Sequence, residues 1–157
     1  MSFLVVFLII IAALFATAFF TKRRFGVLGL ALAAGAMLST LWVGDLTPII
    51  ASAGFVLIKP PLESVVAAAL ILFPATILLV SGPTYSTMSQ RVVGASVFAI
   101  LATALLLQPM GSALVIDGVG KTVYDLFVEY RSVIISICLM LAVFDLLIAK
   151  TPKAPKH

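Results

Sequence analysis

Residues 3–20 read FLVVFLIIIAALFATAFF, without one charged side chain, and the stretches 25–43, 62–80 and 132–149 are almost as apolar. About 20 such residues, wound as a helix, cross the roughly 30 Å hydrocarbon layer of a bilayer. Helices suit that layer because they satisfy their own backbone polar groups where no water is present. A fifth stretch, 92–107, lies near the short limit. The expected fold is therefore all-α, a polytopic transmembrane helix bundle of about five spans in one integral membrane domain covering residues 1–157. Only 10% of the residues are charged and 63% are hydrophobic. A soluble domain carries about 25% charged residues, so this chain could not cover a water-facing surface.

The ends of the stretches carry punctuation. Pro60-Pro61 and Glu63 open the third span, and Ser81-Gly82-Pro83 close it. Gln108-Pro109 and Gly111 are expected to stop the fourth. Ala16-Thr17-Ala18 fits a small-x-small cleavage pattern. However, no basic residue precedes the first apolar run and Lys22-Arg23-Arg24 follows it at once, which favours an uncleaved span.

Basic residues set the orientation. With five spans and the N-terminus outside, the inner side holds Lys22, Arg23, Arg24, Arg91, Lys150, Lys153 and Lys156, seven of the ten Lys and Arg. That bias follows the positive-inside rule. It accounts for the net charge of +4 without nucleic acid. Trp42 falls near the outer end of the second span, at belt depth.

Two pieces fall between the spans. Residues 48–58, PIIASAGFVLI, reach only about 17 Å as a helix, too short to cross, and suggest a re-entrant or interfacial segment on the outer side. In residues 119–130, the apolar positions Val119, Val123, Leu126, Phe127 and Tyr130 recur at three- and four-residue spacing, opposite Lys121, Asp125 and Glu129. That is the pattern of an amphipathic helix lying flat at the outer interface, the alternative being a solvated loop. Residues 150–157 form a cytoplasmic tail.

Within the spans, small residues mark candidate packing faces. Gly29, Ala33 and Met37 form one row of the second span, and Ala31, Gly35 and Ser39 another. In the fourth span Ala95 and Ala99 share a face. Small side chains at four-residue spacing let helix backbones approach closely, though Ala and Gly are frequent in membrane helices in any case. Pro74 removes the donor to the Leu70 carbonyl and should kink the third span. Asp145 is the one acid well inside a span. It sits near the inner interface, where pairing with Arg91 or Arg24 would tie the fifth span to the bundle; the alternative is that it reaches the headgroups alone.

Motifs for chemistry are sparse. Gly120-Lys121-Thr122 resembles the end of a phosphate loop, but the glycine required five residues before Gly120 is Val115. No nucleotide site is expected. The single histidine is His157, the last residue, which leaves no base for a serine protease and no haem clamp. No Cys/His cluster fits zinc, and the lone Cys138 has no disulfide partner within the chain. The sequence thus offers no catalytic, cofactor or metal site and points away from an enzyme. It points to the lipid bilayer as partner, with a homo-oligomer or other membrane proteins as further candidates.

FFTKRRFGVLGLALAAGAMLS resembles the end of the first span, the basic turn and the glycine-rich second span of the colicin V production protein family. ESVVAAALILFPATILLVSG followed by SQRVVGASVFAILATALLL is similar to that family's third span, inner loop and fourth span. Arg91 and Gly94 match its Arg-x-x-Gly helix start. The likeness covers residues 1–110. The turn Lys-Arg-Arg-Phe-Gly departs from the family's Arg-Gly-Phe, and a fifth span and lysine tail replace its polar ending. The resemblance implies a bacterial inner-membrane protein linked to colicin V export or production and to envelope homeostasis. A subunit of an oligomeric channel or transporter is the alternative.

Overall fold

The computed structural model describes residues 3–55, 57, 60–113 and 119–148. Five helices follow one another: α1 (Phe3–Thr21), α2 (Phe25–Ser52), α3 (Leu62–Ser81), α4 (Met88–Ala113) and α5 (Val119–Ile148). They form an all-α bundle. Four of them, α2 to α5, are long and apolar enough to cross a membrane, and α1 adds a shorter apolar stretch, Val5–Thr21. The helices alternate in direction. One end of the bundle gathers the α1–α2 turn, the α3–α4 loop and the end of α5, and is called the basic end here.

The buried centre belongs to α4, which touches all four other helices. Leu101 to Leu107 are buried on every side of the helix, the pattern of a helix surrounded by protein. Leu28 and Leu32 of α2, Ile71 of α3, Phe98 and Leu101 of α4 and Ala142 of α5 fill the middle. Conversely, Leu8, Phe73, Phe144 and Leu147 stand exposed, a large apolar perimeter suited to lipid.

Three helices outrun their expected limits. α2 extends through Pro48 to Ser52, so residues 48–52 are its last turn and not a separate re-entrant segment. Pro48 lacks the N–H that would donate to the Gly44 carbonyl, yet the helix runs on past it. The Thr47 hydroxyl donates to the Val43 carbonyl at 2.7 Å. Gly54, with φ +94°, ends the run in a conformation that favours glycine. Val56, Ile58 and Lys59 lie outside the described residues, as do Asp117, Gly118 and the tail with Lys150, Lys153 and Lys156. α4 begins at Met88 and passes through Pro109 to Ala113, instead of stopping at Gln108.

The third difference concerns the amphipathic stretch. It is the opening part of α5, one continuous helix of 30 residues, and not a separate flat helix. Val123 and Phe127 pack on the core, and the Phe127 ring meets Phe7 of α1 edge-on at 5.4 Å. Leu126 and Tyr130 remain exposed. Protein thus covers part of the stripe, at Val123 and Phe127, and leaves Leu126 and Tyr130 open. The same stripe continues through Ile134, Cys138 and Ala142.

The two rows of α2 part company. Gly29 faces α5, where an added Cβ would stand 3.0 Å from the Ala142 Cβ. Ala33 is half-buried, but Met37 of the same row is exposed. Gly35, with Ala31 and Ser39 also buried, faces α3 so closely that a Cβ would collide with the Leu70 and Ile71 carbonyls. Leu70 is the residue whose carbonyl loses its helical donor to Pro74. The proline thus exposes backbone on α3 where the glycine removes a side chain on α2. In α4, Ala95 and Ala99 are both buried at 2% exposure, in the wall facing the core.

Gly35→Ala should cost about 1–3 kcal/mol, since the extra carbon forces the two backbones apart. Gly44→Ala, in open space, should be neutral or stabilise by up to about 1 kcal/mol. Equilibrium unfolding in bicelles measures both, and equal effects at the two positions would contradict the α2–α3 contact.

Candidate functional site

At the basic end, the three-residue turn between α1 and α2 is zipped to the α3–α4 loop. The Tyr85 N–H donates to the Lys22 carbonyl at 2.8 Å and the Arg24 N–H to the Pro83 carbonyl at 2.9 Å. Lys22 takes φ +58°, uncommon for a residue with a side chain, to make this sharp reversal. The first amides of a helix lack intrahelical partners. For α2 they are met from elsewhere in the chain. The Phe25 N–H donates to the Tyr85 hydroxyl at 3.0 Å and the Gly26 N–H to Asp145 Oδ2 at 2.9 Å. Gly26 is required for that approach, because a Cβ there would lie 2.6 Å from the Ala142 carbonyl oxygen.

Asp145 therefore caps α2 from α5. Its other oxygen lies 3.8 Å from an Arg24 Nη, with both side chains about one-fifth exposed at 19%. Contact at that length is weak beside the charge-assisted bond to the amide. Arg24 also stands over the Tyr85 ring, 5.5 Å from its centroid. The structure does not join Arg91 to Asp145. Arg91 donates to the Phe19 carbonyl at 3.2 Å and stacks 5.0 Å over the Phe19 ring, closing the end of α1. Arg23 does the same for α3, with Nε on the Leu79 carbonyl at 2.9 Å and its two Nη groups on the Gly82 and Val80 carbonyls. Cations suit these carbonyl ends, which carry the negative pole of a helix.

Sequence reasoning assigned Lys22 and Arg23 to orientation alone, named Arg24 also as a candidate partner of Asp145, and did not single out Tyr85 or Gly26. A signal was present for Tyr85. Gly94, the last residue of the Arg-x-x-Gly motif, is where a Cβ would press to 2.6 Å from the Tyr85 ring, so the glycine makes room for that ring. Burial pushes the Tyr85 hydroxyl up to about 12; the Phe25 amide opposes this and the neighbouring Asp145 carboxylate adds to it. An apolar groove of about 350 Å³ runs beside the cluster, bounded by Phe25, Tyr85, Val97 and Phe144.

No family model matches the chain, and neither a curated protein nor a solved structure does so.

Two measurements test the cluster. Asp145→Ala removes both cap and charge, whereas Asp145→Asn keeps an oxygen for the Gly26 amide, so the alanine should cost about 1 kcal/mol more. A double-mutant cycle should give Arg24 and Asp145 a coupling below about 1 kcal/mol and leave Arg91 and Asp145 additive. The second is pH dependence. The folded state holds Tyr85 protonated above its unfolded value near 10, so its stabilising effect is intact below pH 10 and is lost as pH climbs towards 12. Melting curves of the parent should fall faster over that window than those of Tyr85→Phe.

Proposed function

We propose that this chain is a small multi-pass accessory protein of the bacterial inner membrane, of the colicin V production type, linked to export and envelope homeostasis. The resemblance of residues 1–110 to that family supplies the biological setting. The observation that carries the accessory reading is the fate of α2. Its Gly29 side is covered by α5 and its Gly35 side by α3 of the same chain. A subunit of a pore-forming oligomer would keep one of those close-packing faces for another copy. The apolar filling around Leu32, Leu101 and Ala102 supports the same preference, because a single bundle with that interior offers no aqueous path. In this reading the basic end is cytoplasmic and the N-terminus lies outside.

The chain should restore colicin V release to cells lacking their own member of that family, and failure to restore it sets the family reading aside. In the same cells, reporters fused after Arg24 and Arg91 should report cytoplasm, and reporters near Asp45 and Gly120 should report outside. With Cys138 replaced, single cysteines at the exposed Met37 and Leu41 of α2 should not cross-link one copy to another. Efficient cross-linking there would favour the oligomeric channel or transporter subunit.

A further inference from the structure

Among the described residues, α3 and α5 do not touch. At the end of the bundle away from the Arg24 cluster, the gap between them opens into a cleft of about 470 Å³, floored by α2 and α4. That volume lies within the roughly 300–1,000 Å³ of small-molecule sites. Glu63, in the first turn of α3, stands on one wall, and Arg131 of α5 stands on the other. The hydroxyl residue Ser39, buried at 7% exposure, lies on the α2 side of the floor. Ile71 and Leu105 make the deeper lining apolar.

The two charges do not neutralise each other, since the one ion pair among the described residues is Arg24–Asp145. Arg131 is held instead by neutral groups of α4. Its Nε donates to the Ala104 carbonyl at 3.2 Å and an Nη to Gln108 Oε1 at 3.2 Å. This fixes the guanidinium at the cleft wall without supplying a counter-charge. Glu63 is exposed and can keep its water, whereas Arg131 is half-buried, so it is the guanidinium that gains most from a partner of opposite sign. A purely anionic ligand would satisfy Arg131 and be repelled by Glu63, and a cation would meet the reverse. A molecule carrying both charges satisfies both walls, with an apolar part on Ile71 and Leu105.

We propose that the cleft between α3 and α5 binds a zwitterion, its carboxylate or phosphate on Arg131 and its ammonium on Glu63. Two sources share that chemistry, a free amino acid with an apolar side chain and the phosphoethanolamine headgroup of a lipid. The proposal does not rest on the accessory reading above.

The test uses the full chain in a maltoside detergent, titrated calorimetrically with leucine, dihexanoyl phosphatidylethanolamine and dihexanoyl phosphatidylglycerol. At least one zwitterion should bind saturably and the anionic phosphatidylglycerol about tenfold more weakly. Glu63→Gln should abolish that preference by weakening the zwitterion and sparing the anion. Arg131→Gln should weaken both by about tenfold, with Arg131→Lys intermediate. Should Arg131→Gln fail to fold, the loss of preference in Glu63→Gln decides alone. Leucine binding ahead of the lipid identifies a soluble solute, and the opposite order a leaflet lipid. Equal binding of phosphatidylglycerol and the zwitterions, an unchanged preference in Glu63→Gln, or no saturable binding of any probe overturns the proposal.

Discussion

A helix cannot satisfy its own first amides or last carbonyls, and near a bilayer water is a scarce substitute. The basic end answers that constraint with side chains borrowed across the bundle. Asp145 and Tyr85 receive the opening amides of α2, Arg23 closes the carbonyls of α3, and Arg91 closes those of α1. Each donor or acceptor comes from a different helix or loop than the end it serves. Five helices are thereby held in one arrangement by a layer of polar contacts that depend on one another. The charges match the poles they meet, an acid at an amide end and guanidinium groups at carbonyl ends.

Below that layer, packing takes over. Apolar side chains gain little by leaving lipid for protein, so close approach of backbones supplies much of the attraction. Gly35 and Pro74 are complementary in this sense. One helix lacks a side chain where the other lacks a hydrogen-bond donor, and the two defects meet. Neither substitution pattern explains itself within its own helix. On the opposite face of α2, Gly26 and Gly29 admit α5, and their spacing carries the Asp145 carboxylate to the amide it caps.

Much of the architecture was legible in the sequence. The apolar stretches located all five helices, and the starts of α2 and α3 were recognisable from Phe25 and from Pro61 before Leu62. Helix ends were less legible where proline stood. Pro48 and Pro109 have the local signature of a stop, yet both lie inside helices, and α2 and α4 run on past them to Ser52 and Ala113. The stripe from Val123 to Phe127 was legible as a period but not as a contact, since periodicity does not specify whether lipid or protein covers it. Asp145 stood out as an acid in an apolar run. Its partner of choice, the Gly26 amide, is a backbone group and leaves no mark in composition. The Glu63–Arg131 cleft was invisible for a related reason: it arises from two helices that fail to meet, far apart in the chain.

The neighbours of α1 have a consequence for how the protein is made. α1 and α2 are joined by only three residues, yet among the described residues they do not pack on each other; α1 rests chiefly on α4, which starts at Met88. During synthesis the first helix enters the bilayer long before its main support exists, and the carbonyl end that Arg91 closes stays without it for that whole interval. The packing of α1 is therefore completed only by the arrival of α4. Until then α2 and α3 can already close on each other at Gly35, while α1 lacks the helix on which it chiefly rests.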